Sequence, residues 1–162
     1  MKINKQKLTT TVLLAIFIAF IPLGAAAPIE DSENATVEAA KGWLGVEFVH
    51  GANNTSAIDC SHLVYQVYSQ VGAKDIFFQK VPEMKNNTNY VNTTSPAPGD
   101  VIFWQKDVSQ NGKMYWLATH VGIYIGNNQF IDPSFDTENV TTENITGVYK
   151  EGMPYFARWS HS

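Results

Sequence analysis

The sequence predicts an α+β domain in which helices come first and a run of antiparallel strands follows. Three observations carry this. Cys60, Leu63, Val64, Val67, Tyr68 and Val71 recur at the spacing of one helix face, and Gly72 ends the pattern. Val101-Ile102-Phe103-Trp104 and His120-Val121-Gly122-Ile123-Tyr124-Ile125 are short apolar runs of strand length. Asn111-Gly112 and Gly126-Asn127-Asn128 are tight-turn sequences of the kind that join antiparallel neighbours.

The elements follow in order. Lys2, Lys5 and Lys7 precede an apolar run from Val12 to Leu23, and Gly24-Ala25-Ala26-Ala27 supplies small residues. Residues 1–26 therefore read as a signal peptide cut after Ala26. The other reading is a retained anchor, which the run disfavours by falling short of the roughly 20 residues that span a bilayer. Residues 27–34 read as a short polar tether, and 35–162 as one domain. Asn34 is placed to cap a helix from Ala35 to about Trp43. Gly42, Gly45, Gly51 and Asn53-Asn54-Thr55-Ser56 mark loops before the helix that opens at Cys60. Lys80 to Thr94 is polar and reads as a long surface loop. Pro96-Ala97-Pro98-Gly99-Asp100 is a rigid turn launching Val101–Trp104, which returns through Asn111-Gly112 as Met114 to Trp116. The strand from His120 returns as Gln129 to Asp132, with later strands at Val148-Tyr149 and Tyr155 to Trp159.

Charge narrows the partners. The formal net is −4, and without Lys2, Lys5 and Lys7 it falls to −7. There is no basic cluster, heptad or internal repeat, so neither nucleic acid nor an anionic membrane is the expected partner. Asn-x-Ser/Thr sequons stand at Asn34, Asn53, Asn54, Asn86, Asn92, Asn139 and Asn144. They fit an exported, glycosylated surface, or simply an abundance of Asn and Thr as turn formers.

Cys60 is the one cysteine of the 162 residues. Exported proteins use cysteines in pairs as staples, so a solitary one is either an inert buried hydrophobe or a reactive group. Its place in the first turn of a helix favours the second, because the macrodipole there stabilises thiolate over thiol. A cysteine nucleophile needs an imidazole at the sulfur and a third group on the far ring nitrogen. His120 and Asp132 flank the Gly126-Asn127-Asn128 turn, and a hairpin there makes them near cross-strand neighbours. For Asp132 the competing reading is the ordinary turn-forming Asp-Pro dipeptide. His50, His62 and His161 read as surface or rim residues. His50, His62 and His120 with Cys60 lack compact ligand spacing, so neither a metal nor another cofactor is expected. Trp104, Trp116 and Tyr124 read as core or cleft wall.

These residues resemble the NlpC-type cysteine peptidases, a papain-like group that cuts cell-wall peptides. Asp59-Cys60-Ser61 with Leu63-Val64 is similar to the family's nucleophile motif. Pro98-Gly99-Asp100-Val101-Ile102-Phe103 is similar to its Pro-Gly-Asp strand, and His120 to Gly126 to its histidine strand. Trp43 to Ala52 matches more loosely, and the ordered set runs from about Ala35 to Arg158. The resemblance implies a papain-like NlpC fold with the nucleophile helix packed on an antiparallel sheet. It implies Cys60 as nucleophile, His120 as general base and acid, and Asp132 in the orienting position, where relatives usually carry His, Asn or Gln. Asp59 and Ser61 match residues that in some members recognise the free amino end of the stem peptide. Two residues depart from the pattern and bear on substrate binding: His62 replaces the usual Gly, and Phe48 stands where relatives often place a Tyr.

The expectation is thus an exported or cell-surface enzyme acting as a monomer: a metal-free cysteine peptidase or amidase. Its expected substrate is a short cell-wall peptide, typically cut at the γ-D-glutamyl bond of a peptidoglycan stem. Two alternatives share the fold: a catalytically reduced surface-binding module, suggested by His62 and Phe48, and a thiol-dependent acyltransferase.

Overall fold

The structure is a computed structural model, and it describes residues 29–145 and 152–160. Helix α1 (Ile29–Lys41) opens the described chain, followed by the short strands β1 (Glu47–Phe48) and β2 (Ala57–Ile58). Helices α2 (Cys60–Gln70) and α3 (Val81–Asn86) come next, then β3 (Tyr90–Thr93), β4 (Val101–Gln110) and β5 (Lys113–Gly126). Strands β6 (Gln129–Pro133), β7 (Val140–Asn144) and β8 (Met153–Trp159) complete it. Six of these strands form one antiparallel sheet in the order β3-β8-β4-β5-β6-β7. The architecture is α+β as expected.

Helix α2 carries the expected apolar face: Leu63, Val64 and Val67 are fully buried and Tyr68 nearly so. Together with Val101, Phe103, Val121, Ile123 and Ile131 from the sheet they form the main core. The helix ends as its sequence requires. Gly72 adopts a φ of +74°, Gly72 N–H donates to Ser69 O at 3.1 Å, and Ala73 N–H donates to Tyr68 O at 3.0 Å. This is the Schellman pattern, whose left-handed residue is normally glycine. At the start of β4, Asp100 is buried and binds Arg158 through bonds of 2.8 and 2.9 Å, clamping the Pro-Gly-Asp turn to β8. Tyr68 Oη donates to Gly99 O at 2.7 Å and ties the same turn to α2.

Both turn sequences close hairpins. Asn111 and Gly112 have φ of +52° and +72°, and Asn127 and Asn128 of +52° and +61°. Two consecutive left-handed residues match the twist of the flanking strands. The β4–β5 hairpin is longer than expected, because the polar stretch 105–110 continues the strand past the apolar run. A bulge between Trp104 and Gln105 marks where the buried part gives way to the exposed part.

Several expectations need correcting. Helix α1 begins at Ile29, so residues 29–34 are helical and not tether, and Asn34 lies inside the helix. The run 29–41 holds no Gly or Pro to stop a helix, and Val37 and Ala40 bury its inner face. Residues 80–94 are not one long loop. Val81 and Met84 pin the single-turn helix α3, and β3 pairs with the distant β8. The parallel β1–β2 pair and the strand β7 were not expected either. The expected signal peptide and the strand at Val148-Tyr149 lie outside the described residues. Within them, no helix is long and apolar enough to cross a membrane.

Candidate active site

Cys60 is the first residue of α2, positioned by the cap before it. Asp59 sits in extended conformation and its Oδ1 accepts from His62 N–H at 2.8 Å, which fixes the first turn of the helix. The half-buried thiol faces the sheet where β5 and β6 present His120 and Asp132, both buried. Asp132 Oδ2 lies 2.6 Å from His120 Nε2. Cys60 hydrogen-bonds the same imidazole. With Nε2 engaged by the carboxylate, the sulfur's partner on the ring is Nδ1. Burial alone would lower the His120 pKa, but the hydrogen bonds to Asp132 and Cys60 outweigh it and raise it to about 9. The three residues read from the sequence as nucleophile, base and orienter are therefore contiguous.

The relay opens onto a cleft of about 580 Å³ whose lining is mainly apolar. Phe48, His50, Asp59, Cys60, Ser61, His62 and His120 line it, so every residue singled out for substrate binding is on the cleft wall. Phe48 reaches it because β1 runs beside residues 138–140, and its ring meets Phe135 edge-on at 4.7 Å. His62 stacks on Phe78 at 4.0 Å with 12° between the rings, and its Nδ1 lies 2.9 Å from Asp59 Oδ1. The cleft thus holds two carboxylate–imidazole pairs, one buried behind the sulfur and one in the wall. Burial raises the Asp59 carboxyl, but bonds from His62 N–H, the Ser61 hydroxyl and the His62 ring more than offset this and leave it below the usual carboxylate range.

His50 is exposed on the cleft rim, as expected, while His161 lies outside the described residues. Phe78, Lys80, Leu117 and Phe135 also line the cleft and were missed from the sequence. Ile76-Phe77-Phe78 carried a signal, a run of three large apolar residues between polar ones, of which Phe77 and Phe78 are exposed. Trp104 fills the space behind His120 at 5.6 Å and packs on Phe130, a core role rather than a contact with cofactor. Among the described residues, no three His, Cys, Asp or Glu side chains are disposed to hold a metal ion.

The family model for NlpC/P60 matches residues 45–155, which include both the cysteine and the histidine strand. The chain belongs to the NlpC/P60 family. Among family relatives, Protein P54 of Enterococcus faecium is 31% identical over 111 residues, covering 68% of this chain and 20% of P54. A probable endopeptidase NlpC homolog of Haemophilus influenzae is 27% identical over 107 residues, covering 66% of this chain and 51% of the relative. The chain spans at most about half the length of these two relatives. The solved structure of NlpC1 from Trichomonas vaginalis has a TM-score of 0.63 at 25% identity, over 79% of this chain and 43% of that one. The fold is the papain-like one of the NlpC/P60 family.

Proposed function

We propose that this chain is an exported cysteine peptidase that hydrolyses short cell-wall peptides, cutting γ-D-glutamyl bonds of peptidoglycan stems through Cys60, His120 and Asp132. The observation that carries this reading is the buried His120–Asp132 pair at 2.6 Å with the Cys60 sulfur on the same ring. The thiolate attacks the carbonyl carbon, and backbone N–H groups near Cys60 stabilise the oxyanion. His120 gives its proton to the leaving amine as the C–N bond breaks, leaving a thioester on Cys60. His120 then takes a proton from water, which attacks the thioester and frees the acid and the thiol. Relatives named as endopeptidases support the reaction class. An intact relay beside an open cleft favours this over a catalytically reduced binding module.

Export rests on the N-terminal sequence, and glycosylation on the sequons. Six of the seven sequon asparagines are exposed, and none of the seven lines the cleft. Cys60→Ala should abolish turnover of defined stem peptides while leaving the circular dichroism spectrum unchanged. Turnover that survives this substitution would overturn the mechanism. An intact mass starting at Ala27, with increments removed by deglycosylation, would test export and glycan attachment together.

A further inference from the structure

Phe135 is the most exposed large apolar side chain of the cleft wall, and it stands beside the imidazole of the relay. It is 63% exposed, and its ring lies 6.1 Å from the His120 ring. Phe48 backs it edge-on at 4.7 Å. Phe78, elsewhere on the wall, differs in having one face covered by the nearly parallel His62 ring at 4.0 Å. The turn that carries Phe135 is fixed. Ser134 is buried, its N–H donates to Asn139 O at 3.0 Å, and its Oγ accepts from Asp136 N–H at 3.2 Å. Phe48 N–H donates to Glu138 O at 2.8 Å and ties the same turn to β1. An apolar ring held in water costs free energy, which a ligand side chain recovers by covering it.

The position also has a chemical meaning. An imidazole that protonates a leaving amine must come within about 3 Å of that nitrogen. The residue carrying the amine then has its side chain within reach of a ring 6.1 Å from the imidazole. Charge gives that residue little to read, because the lysine and the aspartate of the lining, Lys80 and Asp59, are of opposite sign.

We propose that Phe135, backed by Phe48, selects substrates whose leaving residue has an apolar side chain. The proposal rests on the peptidase reading, which supplies the bond and the side from which the amine departs. In a γ-D-glutamyl peptide the leaving residue is the one joined to the glutamyl γ-carbonyl. Its side chain packs on the Phe135 ring, and both shed water. The two phenyl rings act by contact with the substrate and take no part in proton transfer.

The test uses two tripeptides, L-alanyl-γ-D-glutamyl-leucine and the same peptide ending in asparagine, whose side chain is close to leucine in shape and uncharged. Wild-type protein should cleave the leucine peptide with kcat/KM about tenfold higher, the worth of a small apolar contact. Calorimetry on the Cys60→Ala protein should show the same preference in binding. Adding Phe135→Ala to that protein should erase the preference, and Phe135→Leu should keep most of it. Phe77→Ala is the control, since Phe77 is 55% exposed but does not line the cleft, and it should leave the preference unchanged. Equal affinity for the two peptides, a preference that survives Phe135→Ala, or one that is lost equally in Phe77→Ala would overturn the proposal. Hydrolysis of both peptides at equal kcat/KM overturns the selectivity and leaves the peptidase reading intact. A Phe135-dependent preference in binding without hydrolysis by wild type overturns the peptidase reading alone, and neither binding nor hydrolysis overturns both.

Discussion

Gly122 leaves the space that Asp132 occupies. A Cβ on residue 122 would lie 3.2 Å from the Asp132 Cβ and 3.0 Å from both Ile131 O and Phe130 Cδ2. Strand β6 therefore approaches β5 closely only because residue 122 has no side chain, and this approach brings the Asp132 carboxylate to the His120 ring two residues away. Gly122→Ala should shift β6 by a few tenths of an ångström and lower kcat on the order of tenfold. Its cost in stability should be about 1–3 kcal/mol, as for other overpacked sites. Steady-state kinetics set against urea melts would check this. An unchanged kcat would show that Gly122 serves packing alone.

The pH dependence of turnover follows from His120. In the proposed mechanism its proton, held to about pH 9, is the one given to the leaving amine. We expect kcat/KM to fall as pH rises through about 9, with the midpoint moving downward in Asp132→Asn, which removes the charge that raises it. An NMR titration of the His120 ring in both proteins would give the same shift independently of substrate. An alkaline limb that does not move in Asp132→Asn would sink this assignment.

The relay was legible in the sequence because its parts are local. A capped helix start marks Cys60, and a short apolar strand, a two-residue turn and its return set His120 near Asp132. The Asp-Pro turn reading of Asp132 does not compete with this, since Pro133 simply ends β6. What the sequence hid depends on distant partners. β3 and β7 are short and bury one residue each, so their strand character comes from pairing with β8 and β6 rather than from an apolar pattern. The cleft wall was equally hidden, because Phe78, Leu117 and Phe135 meet there from three separate segments. Helix α1 starts earlier than Asn34 suggests as a cap, because residues 29–33 hold no Gly or Pro to stop a helix.

Stability should also depend on His120. Unfolded, it releases its proton near 6.5; folded, it holds it to about 9. Below 6.5 both states are protonated and the contribution is fully present. Between 6.5 and about 9 the folded state keeps a proton that the unfolded state has lost, so stability falls as pH rises, and above about 9 the contribution is gone. Urea midpoints across this window should decline in wild type and decline less in Asp132→Asn. Equal slopes in the two proteins would contradict this.

The Asp100–Arg158 clamp should matter for folding more than for chemistry. Asp100 is buried, accepts from Ala97 N–H at 2.8 Å, and receives both arms of the Arg158 guanidinium. Arg158 is half exposed, which discounts the ion pair. Asp100→Ala should cost about 2 kcal/mol, and Arg158→Lys less, since an ammonium keeps the charge but loses the two-armed geometry. Chemical denaturation would rank the two, and KM should change in neither, because both lie outside the cleft lining.

Asp59 should behave differently, because stability and chemistry meet there. Asp59→Ala removes the helix cap and leaves Gly51 N–H, His62 N–H and the Ser61 hydroxyl without their acceptor. Loss of a cap costs about 1–2 kcal/mol, and here the frayed residue would be Cys60 itself. We expect a lowered unfolding midpoint together with slower alkylation of Cys60, as the sulfur loses its fixed place beside His120. Asp59→Asn keeps an acceptor for His62 N–H and should restore most of the stability. It should not restore the grip on the His62 ring, because the carboxylate charge is gone. Stability that recovers in Asp59→Asn while KM stays altered would separate the cap from the cleft wall; full recovery of both would show that Asp59 serves only as a cap.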